Sequence, residues 1–177
     1  MCYIQAQPIP VASFLYAYKP KEGRTKRMTQ EENERQNMIR VVVCRPGERA
    51  EVTEIEDNLR SMQTVVGGLI QEYFPFHSED DPRYDDLALI VNDEGKLMRL
   101  PPSRAIFDED GRVQDAIAGP FFICYAPVES ETFLSLPDDL AEEMRRKFDK
   151  PEMFYRTDDG IQVVRYMPEK DGREQER

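Results

Sequence analysis

Two stretches decide how this chain folds: Val65-Val66-Gly67-Gly68-Leu69-Ile70-Gln71 and, further on, Leu87-Ala88-Leu89-Ile90-Val91-Asn92-Asp93-Glu94-Gly95. The first closes an apolar helical pattern, because Leu59, Met62, Val65 and Val66 recur on one face at helical spacing. Gly67 suits the left-handed residue that ends a helix, and Gly68 lets the backbone pass close to a neighbour. Residues 69–74 then read as a strand that Pro75 stops. The second stretch is short and apolar throughout until Asn92, the pattern of a strand covered on both faces. Its polar end, Asn92-Asp93-Glu94-Gly95, reads as a turn into another strand at 96–100.

Outward from this centre, residues 39–44 form a β-branched run suited to a buried strand. Arg45-Pro46-Gly47-Glu48 places Pro and Gly where a type II turn requires them. The strand returning at 51–56 alternates poorly and carries charges, as an edge strand does. Asp57 is positioned to cap the helix that follows.

On the other side, Pro101-Pro102 stops the strand before it, and Ser103-Arg104-Ala105 makes a short excursion. Asp108-Glu109-Asp110-Gly111 is a turn, and Ala118-Gly119-Pro120 leads into a strand at 121–126. A helix at 135–149 has Ser135 as its cap and Pro137 in its first turn, with Leu140, Met144 and Phe148 as its apolar stripe. Residues 161–166 add a strand after Thr157-Asp158-Asp159-Gly160. These elements predict an α+β fold. A mixed, mainly antiparallel sheet of about five or six strands packs on the 57–66 helix, and the 135–149 helix covers another surface.

The chain has 177 residues, a length suited to one domain with extensions. We expect an extended or flexible segment at 1–37, a core domain at 38–127, a C-terminal helix and extra strand at 128–167, and a disordered tail at 168–177. Net charge is −11 and unevenly spread. Residues 1–38 hold six basic and four acidic side chains, against nine and seventeen in 39–128 and nine and fourteen in 129–177. An acidic body repels nucleic acid and anionic membranes. Only the basic stretch Lys19-Pro20-Lys21-Glu22-Gly23-Arg24-Thr25-Lys26-Arg27 offers a nucleic-acid contact. No apolar run reaches the roughly 18–20 residues of a membrane helix. Cys2, Cys44 and Cys124 lack metal-type spacing, and the last two lie in apolar runs where buried thiols are ordinary. That usage points to a reducing cytoplasm.

Catalytic motifs are missing. No phosphate-binding glycine loop, zinc spacing or hydrolase elbow occurs, so no cofactor, metal site or catalytic residue is expected. His77 is the single histidine and adjoins an acidic loop with no nucleophile beside it, which reads as a surface residue. Asp108, Asp110 and Gly111 resemble the start of a calcium loop, but Arg112, Val113 and Gln114 follow, so they read as a turn. Asn92, Glu94 and Arg104 are the candidate binding residues, because an amide, a carboxylate and a guanidinium on neighbouring loops suit a small anionic or protein ligand. The plainer reading is that Asn92 serves turn geometry and Arg104 pairs with a carboxylate of the fold.

Four motifs occur in order: Val65-Val66-Gly67-Gly68-Leu69-Ile70-Gln71, Ile90-Val91-Asn92-Asp93-Glu94-Gly95-Lys96-Leu97, Leu100-Pro101-Pro102-Ser103-Arg104 and Ile117-Ala118-Gly119-Pro120-Phe121-Phe122-Ile123. Together they resemble a family of unknown function, found in phage, plasmid and conjugative-element proteins of Firmicutes and related gut bacteria. The resemblance covers about residues 39–127. Leu69 stands where that family often has an aromatic residue, Gln71 and Asp93 where it has Glu, and Ser103 where it has Asn. The resemblance implies a mobile-element setting in a bacterial or phage-infected cell and no activity. The expected function is a non-enzymatic accessory or protein-binding domain with a basic protein partner, or else an inhibitor that blocks a host nucleic-acid-binding defence protein through its acidic face. The alternative is a ligand-binding or enzymatic site at Asn92, Glu94 and Arg104.

Overall fold

The computed structural model describes residues 38–168, except 109 and 159. The segment at 1–37, with its basic stretch, and the tail beyond 168 lie outside the described residues. Strands β1 (Met38–Cys44), β2 (Glu51–Glu56), β3 (Ile70–Tyr73), β4 (Leu87–Asn92) and β7 (Phe121–Tyr125) form one sheet in the order β2-β1-β7-β4-β3. Every neighbouring pair in it is antiparallel. Strands β5 (Pro102–Phe107) and β6 (Val113–Ala118) form a separate two-stranded sheet, as do β8 (Glu152–Thr157) and β9 (Gly160–Arg165). Helices α1 (Leu59–Val66) and α2 (Asp138–Lys147) complete the α+β fold.

Side chains of a strand alternate between faces, so the apolar runs of β1, β4 and β7 supply two cores at once. Ile39, Val41, Val43, Ala88, Ile90, Phe122 and Cys124 pack on one face with Met62 and Val66 of α1. Val42, Cys44, Leu87, Leu89, Phe121 and Ile123 pack on the other with Ile106 and Ile117 of the β5-β6 hairpin and Leu140, Ala141, Met144 and Phe148 of α2. Each such large side chain removed from water stabilises the fold by about 1.5–3 kcal/mol. The all-buried run of β4 is thus covered on both faces, as its composition requires.

Several local expectations hold. Gly47 takes a positive φ of 77° in the turn that pairs β1 with β2, and β2 lies at the sheet edge. Gly67 ends α1 with φ 75°, its N–H donating to the Gln63 carbonyl.

Others are corrected. Asn58, not Asp57, caps α1, its Oδ1 accepting from Ser61 N. Ser135 does not cap α2; its hydroxyl accepts from Arg40 N and so ties the approach to α2 onto β1. Pro137 occupies the cap position instead, without a side-chain hydrogen bond. Residues 96–100 are not a strand. Met98 N donates to Glu94 O, Arg99 N to Lys96 O and Leu100 N to Gly95 O, so the chain coils back on itself there. The strand lies after the prolines: Ser103-Arg104-Ala105 belongs to β5, paired with β6, and β9 finds its partner in β8. Polar residues within β5 and β8 hid their pattern, because their buried positions include Ser103, Arg104 and Glu152.

Candidate functional site

The glycine and asparagine motifs meet at one end of the main sheet. After Gly67 closes α1, the chain turns into β3, which pairs Ile70 with Asn92 at the end of β4. Asn92 is buried there, its Nδ2 donating to the Val66 carbonyl at 3.3 Å and its Oδ1 accepting from Glu94 N at 2.9 Å. One side chain thus caps the C-terminus of α1 and holds the turn after β4. A Cβ on Gly68 would sit 2.5 Å from Asn92 Nδ2, which no side chain tolerates without movement. A Cβ on Gly95 would meet the Ala118 carbonyl at 2.5 Å, and one on Gly119 would meet Leu100 at 2.7 Å. The turn after β4 is therefore wedged against the β6–β7 connection.

Arg104 is placed elsewhere. It is fully buried, and its guanidinium donates to four main-chain carbonyls: Phe148 at 2.9 Å, Ser103 at 2.9 Å, Glu48 at 2.6 Å and Arg45 at 3.3 Å. Desolvation lowers its pKa from the ordinary value, opposed by Cys44 and Glu152, yet an arginine stays protonated under any folding condition. The structure joins Asn92 to Glu94 through their turn, leaves the Glu94 side chain exposed, and commits Arg104 to the β1–β2 turn and the end of α2.

Residues 39–149 match the profile of DUF3846, a domain of unknown function. The chain belongs to this family. No curated protein and no solved structure matches it significantly. The DUF3846 match runs past residue 127 and takes in α2, which makes physical sense: Arg104 of β5 is anchored on the carbonyl of Phe148, directly after α2.

Two hollows flank β3 of this DUF3846 domain. On the α1 face lies a cleft of about 670 Å³ between the start of α1 and the segment 126–133. Met62, Ile70, Phe74 and Phe133 give it apolar walls, and Asp57, Glu72, Asp85 and Glu131 add four carboxylates, with no lysine or arginine among the described residues that line it. Asp85 Oδ1 lies 2.7 Å from His77 Nδ1, so His77 belongs to a surface pair. On the opposite face lies a smaller hollow of about 300 Å³ with Gln71, Tyr73, Asn92 and Asp93 around the Lys96–Asp115 ion pair, whose Nζ–Oδ1 distance is 2.6 Å. Burial and the Asp115 charge raise the Tyr73 pKa, so its hydroxyl stays a donor at neutral pH.

Nucleophile chemistry has little support in the geometry. Burial pushes the Cys44 thiol up to about 12 and raises Cys124 still further, so neither forms a thiolate near neutral pH. Among the described residues, no group of three or more His, Cys, Asp or Glu side chains converges as a metal ion would need. Sequence reading missed Glu152, which is buried and accepts from Ala105 N and from Arg165 Nε, joining β5 to the β8-β9 hairpin. A buried carboxylate between two strands leaves no periodic trace.

Proposed function

We propose that this chain is a non-enzymatic, protein-binding accessory domain, of the kind carried by phages and other mobile elements, and that its partner presents a basic surface. The observation that carries this reading is the cleft with four carboxylates, apolar walls and, among the described residues, no lysine or arginine in its lining. Complementary charge accelerates encounter and fixes orientation, while apolar walls supply the desolvated contact that gives affinity. Nucleic-acid-binding proteins offer such basic surfaces, so a host defence protein of that type is the partner class we favour. The experiment is a pull-down with the full chain from bacterial lysate at low ionic strength. Retention of a basic protein that is lost as salt rises supports the reading, and failure to retain any basic protein overturns it.

A second reading is a small polar ligand in the hollow that Asn92 lines with Gln71, Tyr73 and Asp93. It includes one of the three candidate residues, since neither Glu94 nor Arg104 lines that hollow. A thermal-shift screen of polar metabolites, repeated with Tyr73→Phe, tests it: a stabilising hit that the substitution abolishes supports a ligand site.

A further inference from the structure

β3 ends the five-stranded sheet, paired with β4 on one side and with no described strand on the other. The opposite edge strand, β2, is also acidic, with Glu51, Glu54 and Glu56. What distinguishes β3 is its surroundings. Alternation along the strand sends Ile70, Glu72 and then Phe74 to the cleft, and Gln71 and Tyr73 to the polar hollow behind. An added strand at this edge would have a receptacle for side chains on both of its faces. That is the arrangement by which strand addition obtains affinity from main-chain hydrogen bonds and specificity from alternating pockets.

The charges select the occupant. Cleft-facing side chains meet Asp57, Glu72, Asp85 and Glu131 beside the apolar Met62, Phe74 and Phe133, which suits lysine or arginine interspersed with aliphatic residues. Hollow-facing side chains meet amide and phenol groups, the Asp93 carboxylate and the Lys96–Asp115 ion pair, which suits small hydrogen-bonding residues. We propose that the open edge of β3 is a strand-addition site for an extended, cationic segment of a partner protein. The segment's alternate side chains, basic and aliphatic, enter the carboxylate-bearing cleft. About four residues of it pair with β3, a span of roughly 13 Å. This rests on the protein-binding reading above and assigns it a surface.

The test is fluorescence anisotropy on the full chain with a labelled peptide of about nine residues, in which threonine alternates with lysine and leucine. Three controls accompany it: the same peptide N-methylated at alternate residues, a version with glutamate for lysine, and the protein variants. Glu72→Gln with Glu131→Gln removes two exposed cleft carboxylates, and Glu54→Gln with Asp110→Asn removes two exposed carboxylates that do not line the cleft. The expected result is salt-sensitive binding that falls at least about tenfold for the methylated peptide, the glutamate peptide and the cleft variant, while the remote variant keeps its affinity. Absence of binding by the lysine peptide, equal binding of the methylated one, or equal loss in the remote variant overturns the proposal. The lysate pull-down separates the two readings. A basic partner retained equally by the cleft variant removes the β3 site and leaves the protein-binding function standing.

Discussion

Gly68 and Asn92 occupy each other's space: a Cβ on the glycine would fall 2.5 Å from the asparagine Nδ2 and 3.0 Å from its Cγ. The contact explains why a glycine pair stands there. Gly67 has no described atom within 4 Å of its missing Cβ and is required for its left-handed φ of 75°, whereas Gly68 is required for room. The two neighbours answer different physical demands, and substitutions should separate them.

Gly68→Ala should destabilise by about 1–3 kcal/mol through overpacking against Asn92. In an Asn92→Ala background the same substitution should cost less, with a coupling of about 0.5–2 kcal/mol in a denaturant double-mutant cycle. Gly67→Ala should cost about 1–2 kcal/mol with no coupling to Asn92, and Gly67→Asn should be milder, since asparagine tolerates the left-handed region. Additivity of Gly68→Ala with Asn92→Ala would show that the contact is not what constrains the glycine.

Arg104 should tolerate no replacement. Its planar fork reaches carbonyls of Arg45, Glu48, Ser103 and Phe148, which a lysine ammonium cannot satisfy together. Arg104→Lys should lose about 2–4 kcal/mol in urea unfolding, because buried carbonyls are left unpaired. A loss under about 0.5 kcal/mol would mean that water or other donors replace the guanidinium.

Ser103 presents the opposite case. Its hydroxyl is buried and has no hydrogen-bond partner among the described residues. Ser103→Ala removes an unsatisfied polar atom, so stability should stay level or rise by up to about 1 kcal/mol. A clear drop in melting temperature would reveal a partner for the hydroxyl.

Acid should weaken the fold through carboxylates held by arginines. Hydrogen bonds from Arg145 and then Arg146 lower the Glu142 pKa from 4.5 to about 2, and Arg49 lowers that of Asp149. A carboxylate with a depressed folded-state pKa stabilises fully above its unfolded value and loses that contribution as pH falls through the folded one. For Glu142 the window runs from 4.5 down to about 2. Thermal unfolding across this window should show falling stability, and Glu142→Gln should flatten the slope. An unchanged slope would place the acid sensitivity on other groups.

Much of the fold was legible in order along the chain. The apolar runs of β1, β4 and β7, the Arg45-Pro46-Gly47-Glu48 turn and the glycine stop of α1 are local signals, since each records which face is buried or which φ is needed. The β5-β6 hairpin was not legible, because its strand at Ser103-Arg104-Ala105 carries polar residues into the interior. The candidate site divided on the same line. The turn role of Asn92 follows from its neighbours, yet its grip on the Val66 carbonyl joins residues 26 apart.

The sequence by itself determined an acidic α+β domain, because periodicity, turn chemistry and charge are properties of neighbouring residues. Only the tertiary structure decided that Arg104 reaches carbonyls 44 to 59 positions away and that acids from four separate segments gather beside β3. Polar groups take whatever partner the topology brings within about 3 Å, and topology is set by the packing of whole faces. Gly67 ends α1 and Gly68 leads into β3, yet only the packing of whole faces makes β3 the edge beside which those acids lie.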